Sequence, residues 1–190
     1  MLKPLFIAFL ALVTVCASNR ASAQAGPSPE VRMAAQREAM ARLAFLDGAW
    51  EGTARVEWIP GEVRKLHQTE RIGPFLGGAI KLIEGHGYAP DGTLEFNAFA
   101  IVSYDVDRAA YRIRSYSQGY AGDYEFTPAE DGFVWTIPAG EDTVRFAAEI
   151  AGDRWTQTGD RVRPDGRSPH FIEMELFRTG QADWQAGDTK

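Results

Sequence analysis

From Trp50 to Arg178 the chain alternates β-rich runs with short turns, and no other feature narrows its folding options as far. The turns are written out by Pro60-Gly61, Gly77-Gly78, Pro90-Asp91-Gly92, Asp131-Gly132, Ala139-Gly140, Gly152-Asp153 and Pro164-Asp165-Gly166. These residue types set φ where a chain must reverse. The runs between them predict strands over about 50–58, 64–72, 79–88, 93–104, 110–118, 122–127, 132–137, 142–150, 153–162 and 169–178. An open sheet of that many strands would expose two edges, and closure removes both. The predicted fold is all-β, an antiparallel up-and-down β-barrel of about ten strands, with a two-sheet sandwich as the alternative.

One helix precedes the strands. Ser28 suits an N-cap, Pro29 the first helical position and Glu30 the positive end of the dipole, while Ala and Met dominate the helix interior. Val31, Ala35, Leu43 and Leu46 recur at helical spacing, so the pattern predicts a helix over 29–46 whose apolar face packs as a lid or plug on one end of the barrel, itself spanning 49–179. The junction reads Leu46-Asp47-Gly48-Ala49-Trp50-Glu51-Gly52. Gly48, Trp50 and Gly52 share one pleat face, which suits a Trp lying flat across the barrel bottom between close-approaching backbones.

Residues 1–23 read as a signal peptide. Lys3 is the positive n-region, Leu5 to Val15 is the apolar segment, and Ala21-Ser22-Ala23 is an A-x-A cleavage site. A lipoprotein reading through Cys16 is disfavoured because Val15 stands where lipid processing prefers a small residue. Cleavage removes Cys16, the one cysteine, so the mature chain is expected to form neither disulfide nor thiolate metal site. It also removes Lys3 and Arg20, so Lys+Arg falls from 20 to 18 against 26 Asp+Glu, a net charge of −8. That balance argues against nucleic acid and anionic membrane surfaces as partners. The expectation is an exported, periplasmic protein of one domain, residues 24–190, with no stable membrane insertion after cleavage and an oligomeric state that the sequence leaves open.

The chain resembles the lipocalin or calycin superfamily. The likeness is carried by Leu46-x-Gly48-x-Trp50-x-Gly52, Gly73-Pro74-Phe75-Leu76-Gly77-Gly78, Ser103-Tyr104-Asp105 and Glu175-Leu176-Phe177-Arg178, and within the superfamily it is strongest to bacterial lipocalin-like domains of unknown function. The resemblance implies that Trp50 packs under Arg178 as a structural closure of the barrel, a cation–π contact. A more distant likeness is to nitrobindins, ten-stranded barrels that hold haem through a histidine.

Alternation then assigns inner faces. In the last strand Ile172, Met174 and Leu176 alternate with Glu173 and Glu175, so His170 and Arg178 share the inward parity. His170 lies eight residues from Arg178, about 27 Å along an extended strand, near the opposite mouth. In the third strand, taking Lys81 as solvent-facing turns Ile80 and Leu82 inward, and with them Glu84, His86 and Tyr88. Such a run of polar groups implies a wet cavity, in which Glu84 could orient His86, or else a bulge at Gly85 or Gly87. In the fifth strand outward Arg112 and Arg114 turn Tyr111, Ile113 and Ser115 inward. Phe133, Trp135 and Ile137 form one face of the seventh. The candidate ligand contacts are therefore His170, His86, Glu84, Tyr88, Tyr111, Ser115 and Trp135.

No GxSxG, HExxH, Walker or dinucleotide motif occurs, and no nucleophile or oxyanion hole can be named, so the reading is uncertain on catalysis and favours a non-enzyme. His67, His86 and His170 fall on separate strands, an arrangement that leaves a metal site undecided. The leading functional expectation is a carrier of a small, largely apolar molecule inside the barrel. The alternatives are a nitrobindin-like haem protein with His170 or His86 as axial ligand, and a non-catalytic envelope structural or interaction protein whose barrel is filled with side chains.

Overall fold

The computed structural model describes residues 26–182 together with Trp184; the signal segment 1–23 lies outside these. Ser28 is the N-cap of helix α1 (Pro29–Ala41), its Oγ accepting from the Val31 N–H at 3.4 Å. The helix stops short of the expected residue 46. Arg42 and Leu43 donate to the carbonyls three residues back, at Ala39 and Met40, which tightens the last turn, and a 3-10 turn over Ala44–Leu46 leads into the first strand. Its packed face is the expected one in part: Leu43 and Leu46 are buried as expected and Ala35 is half-buried. Ala39 and Met40 are buried with them, whereas Val31 is exposed; the first turn meets the barrel through a charged contact instead, Arg32 to Asp107.

Ten strands complete the fold: β1 (Gly48–Ile59), β2 (Glu62–Phe75), β3 (Ile80–Tyr88), β4 (Leu94–Asp105), β5 (Ala110–Ser117), β6 (Tyr120–Ala129), β7 (Gly132–Ala139), β8 (Asp142–Ala151), β9 (Arg154–Val162) and β10 (His170–Gly180). Each pairs antiparallel with its sequence neighbours, and β10 returns to β1, so the sheet is a closed barrel. This is the fold predicted from the turn spacing. Closure leaves no unpaired edge, and the inner faces meet in one core that runs from Met40 and Leu46 through Trp50 to Phe126 and Phe133.

The helix end of the barrel is sealed by charged groups as much as by apolar ones. The Arg178 guanidinium lies 4.0 Å from the Trp50 ring centre, its Nη2 donates to the Phe45 carbonyl at 2.9 Å, its Nη1 to the Asp47 carbonyl, and its Nε to Asp153 at 3.0 Å. Trp50 in turn donates from Nε1 to the Leu46 carbonyl at 2.9 Å. Gly48 takes φ +146°, and a Cβ there would sit 2.8 Å from Arg178 Nη1. At Gly52 a Cβ would collide with the Glu175 carbonyl oxygen, so β1 and β10 approach closely only because that position is glycine.

Lys81 corrects the expected phase of β3. It is 2% exposed and its Nζ pairs with Asp47 at the helix-strand junction. Lys81 therefore points inward, and so do Ile83, Gly85 and Gly87. Glu84, His86 and Tyr88 face outward; the ladder to β2 is regular throughout, and the ladder to β4 shifts register between Gly87 and Tyr88, beyond Glu84 and His86. A lysine can be buried here because Asp47 supplies the countercharge from outside the strand itself, which a strand-by-strand pattern does not reveal.

Two stability measurements test this sealed end. Arg178→Ala should cost about 3 kcal/mol, since it removes a desolvated cation–π contact and charged hydrogen bonds to two carbonyls. Arg178→Lys should recover only part of that, because an ammonium cannot span both carbonyls. Urea denaturation of the three proteins gives the comparison. For the buried pair, Asp47→Asn should destabilise more than Lys81→Met, because the first leaves an unpaired ammonium inside the barrel and the second leaves a carboxylate near its rim.

Candidate functional site

The barrel interior is not filled. A cavity of about 180 Å³ lies between the helix-capped end and the opposite mouth, where Trp58 stacks on Phe96 with ring centres 6.3 Å apart. Its two sides differ. On the β7–β9 arc the wall is aromatic, formed by Phe133, Trp135, Phe146 and Trp155, with Trp135 stacked on Phe146 at 4.5 Å and 15°. On the β3–β5 arc five of the inward positions, Gly85, Ala98, Ala100, Ser115 and Ser117, carry small side chains between the larger Ile83, Phe96 and Ile113, so the volume is open beside those five.

One carboxyl group enters this space. The inner face of β2 reads Leu66, Gln68, Glu70 and Ile72, and the register places Glu70 beside Gly85 of β3 and Trp50 of β1. A Cβ at Gly85 would lie 2.5 and 2.7 Å from the two Glu70 oxygens, so the carboxyl group rests over a backbone that only glycine leaves clear. Gln68 Nε2 donates to Glu70 Oε1 at 2.8 Å. Glu70 is half-buried and lines the cavity. Burial pushes its pKa up to about 8. The Gln68 hydrogen bond opposes that shift and the negative charge of Glu84, on the outer face of the neighbouring strand, adds to it. With no ligand bound, at neutral pH, Glu70 is therefore mainly a neutral acid, able to donate as well as accept a hydrogen bond.

The expected contacts separate into three groups. Ser115 and Trp135 line the cavity. Tyr111 points inward but below it, its hydroxyl donating to the Ala39 carbonyl at 3.0 Å and its ring against Tyr104, so it anchors the helix. His170, Glu84, His86 and Tyr88 are outside. A register shift between His170 and Ile172 breaks the alternation that would have turned His170 inward; its side chain is 56% exposed and its Nδ1 pairs with Asp160. Glu84 is held on the outer face by Arg71 at 2.7 Å, and His86 stacks on Tyr88 with ring centres 6.1 Å apart.

Glu70 and Gln68 were missed although their signal was present. Lys65, His67 and Arg71 share an outward parity, and alternation then requires Leu66, Gln68, Glu70 and Ile72 to face inward. Haem does not fit this interior. None of the three histidines lines the cavity, so neither His170 nor His86 can serve as an axial ligand from inside. Among the described residues no group of three or more His, Cys, Asp or Glu is placed to hold a metal ion, and no helix is long and apolar enough to cross a membrane.

No family model matches the chain, and comparison with curated proteins gives no match. Solved structures do match. Rv2717c from M. tuberculosis superposes with a TM-score of 0.57 at 12% identity, covering 74% of this chain and 97% of that one. The S-type phycobiliprotein lyase CPES from Guillardia theta superposes with a TM-score of 0.51 at 10% identity, covering 82% and 99%. At these identities the likeness defines the fold alone, a calycin-like barrel.

The state of Glu70 can be read from stability. A buried acid whose folded pKa is raised makes the protein lose stability as pH rises from about 4.5, where the unfolded chain ionises, to about 8, where the folded one does. The limiting slope is about 1.4 kcal/mol per pH unit. Glu70→Gln removes this loss, so its stability relative to the parent should rise from pH 5 to pH 8 and level off above. Denaturant titrations across that range check it, and a pH-independent difference would mean that the carboxyl group titrates normally.

Proposed function

We infer that this is an exported binding protein that carries a small, largely apolar molecule in its barrel, with the bacterial periplasm as its compartment. The observation that carries the reading is the aromatic wall of β7–β9 facing an unfilled space of about 180 Å³ inside a closed sheet. A core that exists only to stabilise the fold gains by filling such a space, because each lost contact costs dispersion and transfer energy. The cavity holds several water volumes yet is mostly apolar, which favours an organic occupant over ordered solvent. The leader-like residues 1–23 support export. The likeness to a phycobiliprotein lyase supports the barrel as a scaffold and does not extend to lyase chemistry, since fold does not fix activity.

The energetics suit a small ligand. Burying roughly 150 Å² of apolar surface at about 25 cal/mol per Å² gives about 4 kcal/mol, a dissociation constant near 1 mM before any polar contact is added. Isothermal titration with 2-phenylethanol should therefore show saturable binding at about millimolar concentration or tighter. Ala98→Phe, which places a ring in the open side of the cavity, should abolish it while leaving the far-ultraviolet circular dichroism of the barrel unchanged. Absence of binding to the parent protein would remove the carrier reading in favour of a purely structural barrel.

A further inference from the structure

The polarity of the cavity is one-sided. Among its lining side chains Glu70 alone is ionisable, so no lining cation answers it. Its ladder neighbours are Trp50 on β1 and Gly85 on β3. The two inward cations at the sealed end are already engaged, Lys81 by Asp47 and Arg178 by the carbonyls of Phe45 and Asp47 and by Asp153. Arg71 and Glu84 face each other on the outer surface. The remaining polar lining groups, Gln68, Gln157, Ser115, Ser117 and the indole N–H groups of Trp58, Trp135 and Trp155, are neutral.

We propose that the cavity selects a primary amine carried on a small aromatic or apolar body, with Glu70 as the anchor for its ammonium group. The proposal rests on the small-molecule reading above and specifies the ligand class. The geometry favours it in two ways. Gly85, Ala98 and Ser117 continue from Glu70 around the wall in successive ladder pairs, so a head group has room beside the carboxyl. Opposite, the stacked Trp135 and Phe146 offer ring surface to the ligand body. A carboxylate ligand would meet no countercharge and would sit against a second acid, so fatty and aryl acids are disfavoured.

Binding of an amine changes the proton count. In the unliganded protein Glu70 is mainly protonated at pH 7. An ammonium ligand is best matched by the carboxylate, so binding transfers the Glu70 proton to solvent and leaves RNH3+ paired with COO−. A neutral alcohol requires no such release.

The test compares three probes of similar shape, 2-phenylethylamine, 2-phenylethanol and 3-phenylpropionate, by isothermal titration at pH 7.5 in two buffers of different ionisation enthalpy. The amine should bind at least tenfold tighter than the alcohol with release of about three-quarters of a proton, the share that a group of pKa about 8 holds at pH 7.5, and the acid should bind most weakly. Glu70→Gln should erase the amine preference and the proton release while the alcohol still binds. Equal affinity for amine and alcohol, or an amine preference that survives Glu70→Gln, overturns the proposal and leaves the carrier reading standing. Failure of all three probes to bind the parent protein overturns both.

Discussion

Arg178 sits where the last strand meets the first, and the barrel depends on that seam. Its guanidinium covers the Trp50 ring and gathers the carbonyls of Phe45 and Asp47. One side chain thus joins the end of β10, the start of β1 and the turn that leaves the helix. A cation at this depth is tolerable because its donors meet carbonyl oxygens and a carboxylate, and its flat face meets an aromatic ring. Gly48 and Gly52 provide the clearance that the guanidinium and the β10 backbone need. Lys81 and Asp47 repeat the device a short distance away, so the sealed end is held by two charged contacts around an aromatic centre.

Closing one end this firmly leaves the other free to differ. The core cluster packs toward the helix, whereas the middle of the barrel combines large rings on one arc with glycine, alanine and serine on the other. This asymmetry creates the cavity. Uniformly large inward residues would fill a barrel of this size and uniformly small ones would collapse or flood it. Glu70 is the one charged-type residue in that middle layer, and it keeps its place because Gln68 binds it and Gly85 gives it room.

The turn residues and strand runs were legible because they are local. A Pro-Asp-Gly or a glycine with positive φ reverses the chain whatever surrounds it, and strands between reversals alternate with period two. The Trp50 and Arg178 pairing was legible through resemblance. Two failures share a physical origin. In β3, Ile80-Lys81-Leu82-Ile83 carries apolar residues in both phases, so the strand's orientation hung on the assumption that a lysine faces water, and Asp47 invalidated it. In β10, one register shift beside His170 moved that side chain to the outer wall and paired it with Asp160. The Glu70 side chain failed differently: its inward parity was written beside Lys65, His67 and Arg71, but a carboxylate on an inner face reads as improbable until its burial partner is seen.

Strand number, order, antiparallel pairing and the sealing helix were thus set by local chemistry, by turn propensity, by alternation and by the need to leave no edge exposed. Which polar side chains point inward was settled only when ten strands met. A buried charge costs too much alone, and whether it has a partner depends on residues far away in the chain, as Asp47 is from Lys81 and Gly85 from Glu70. The cavity, likewise, is a property of facing arcs, and no single strand contains it.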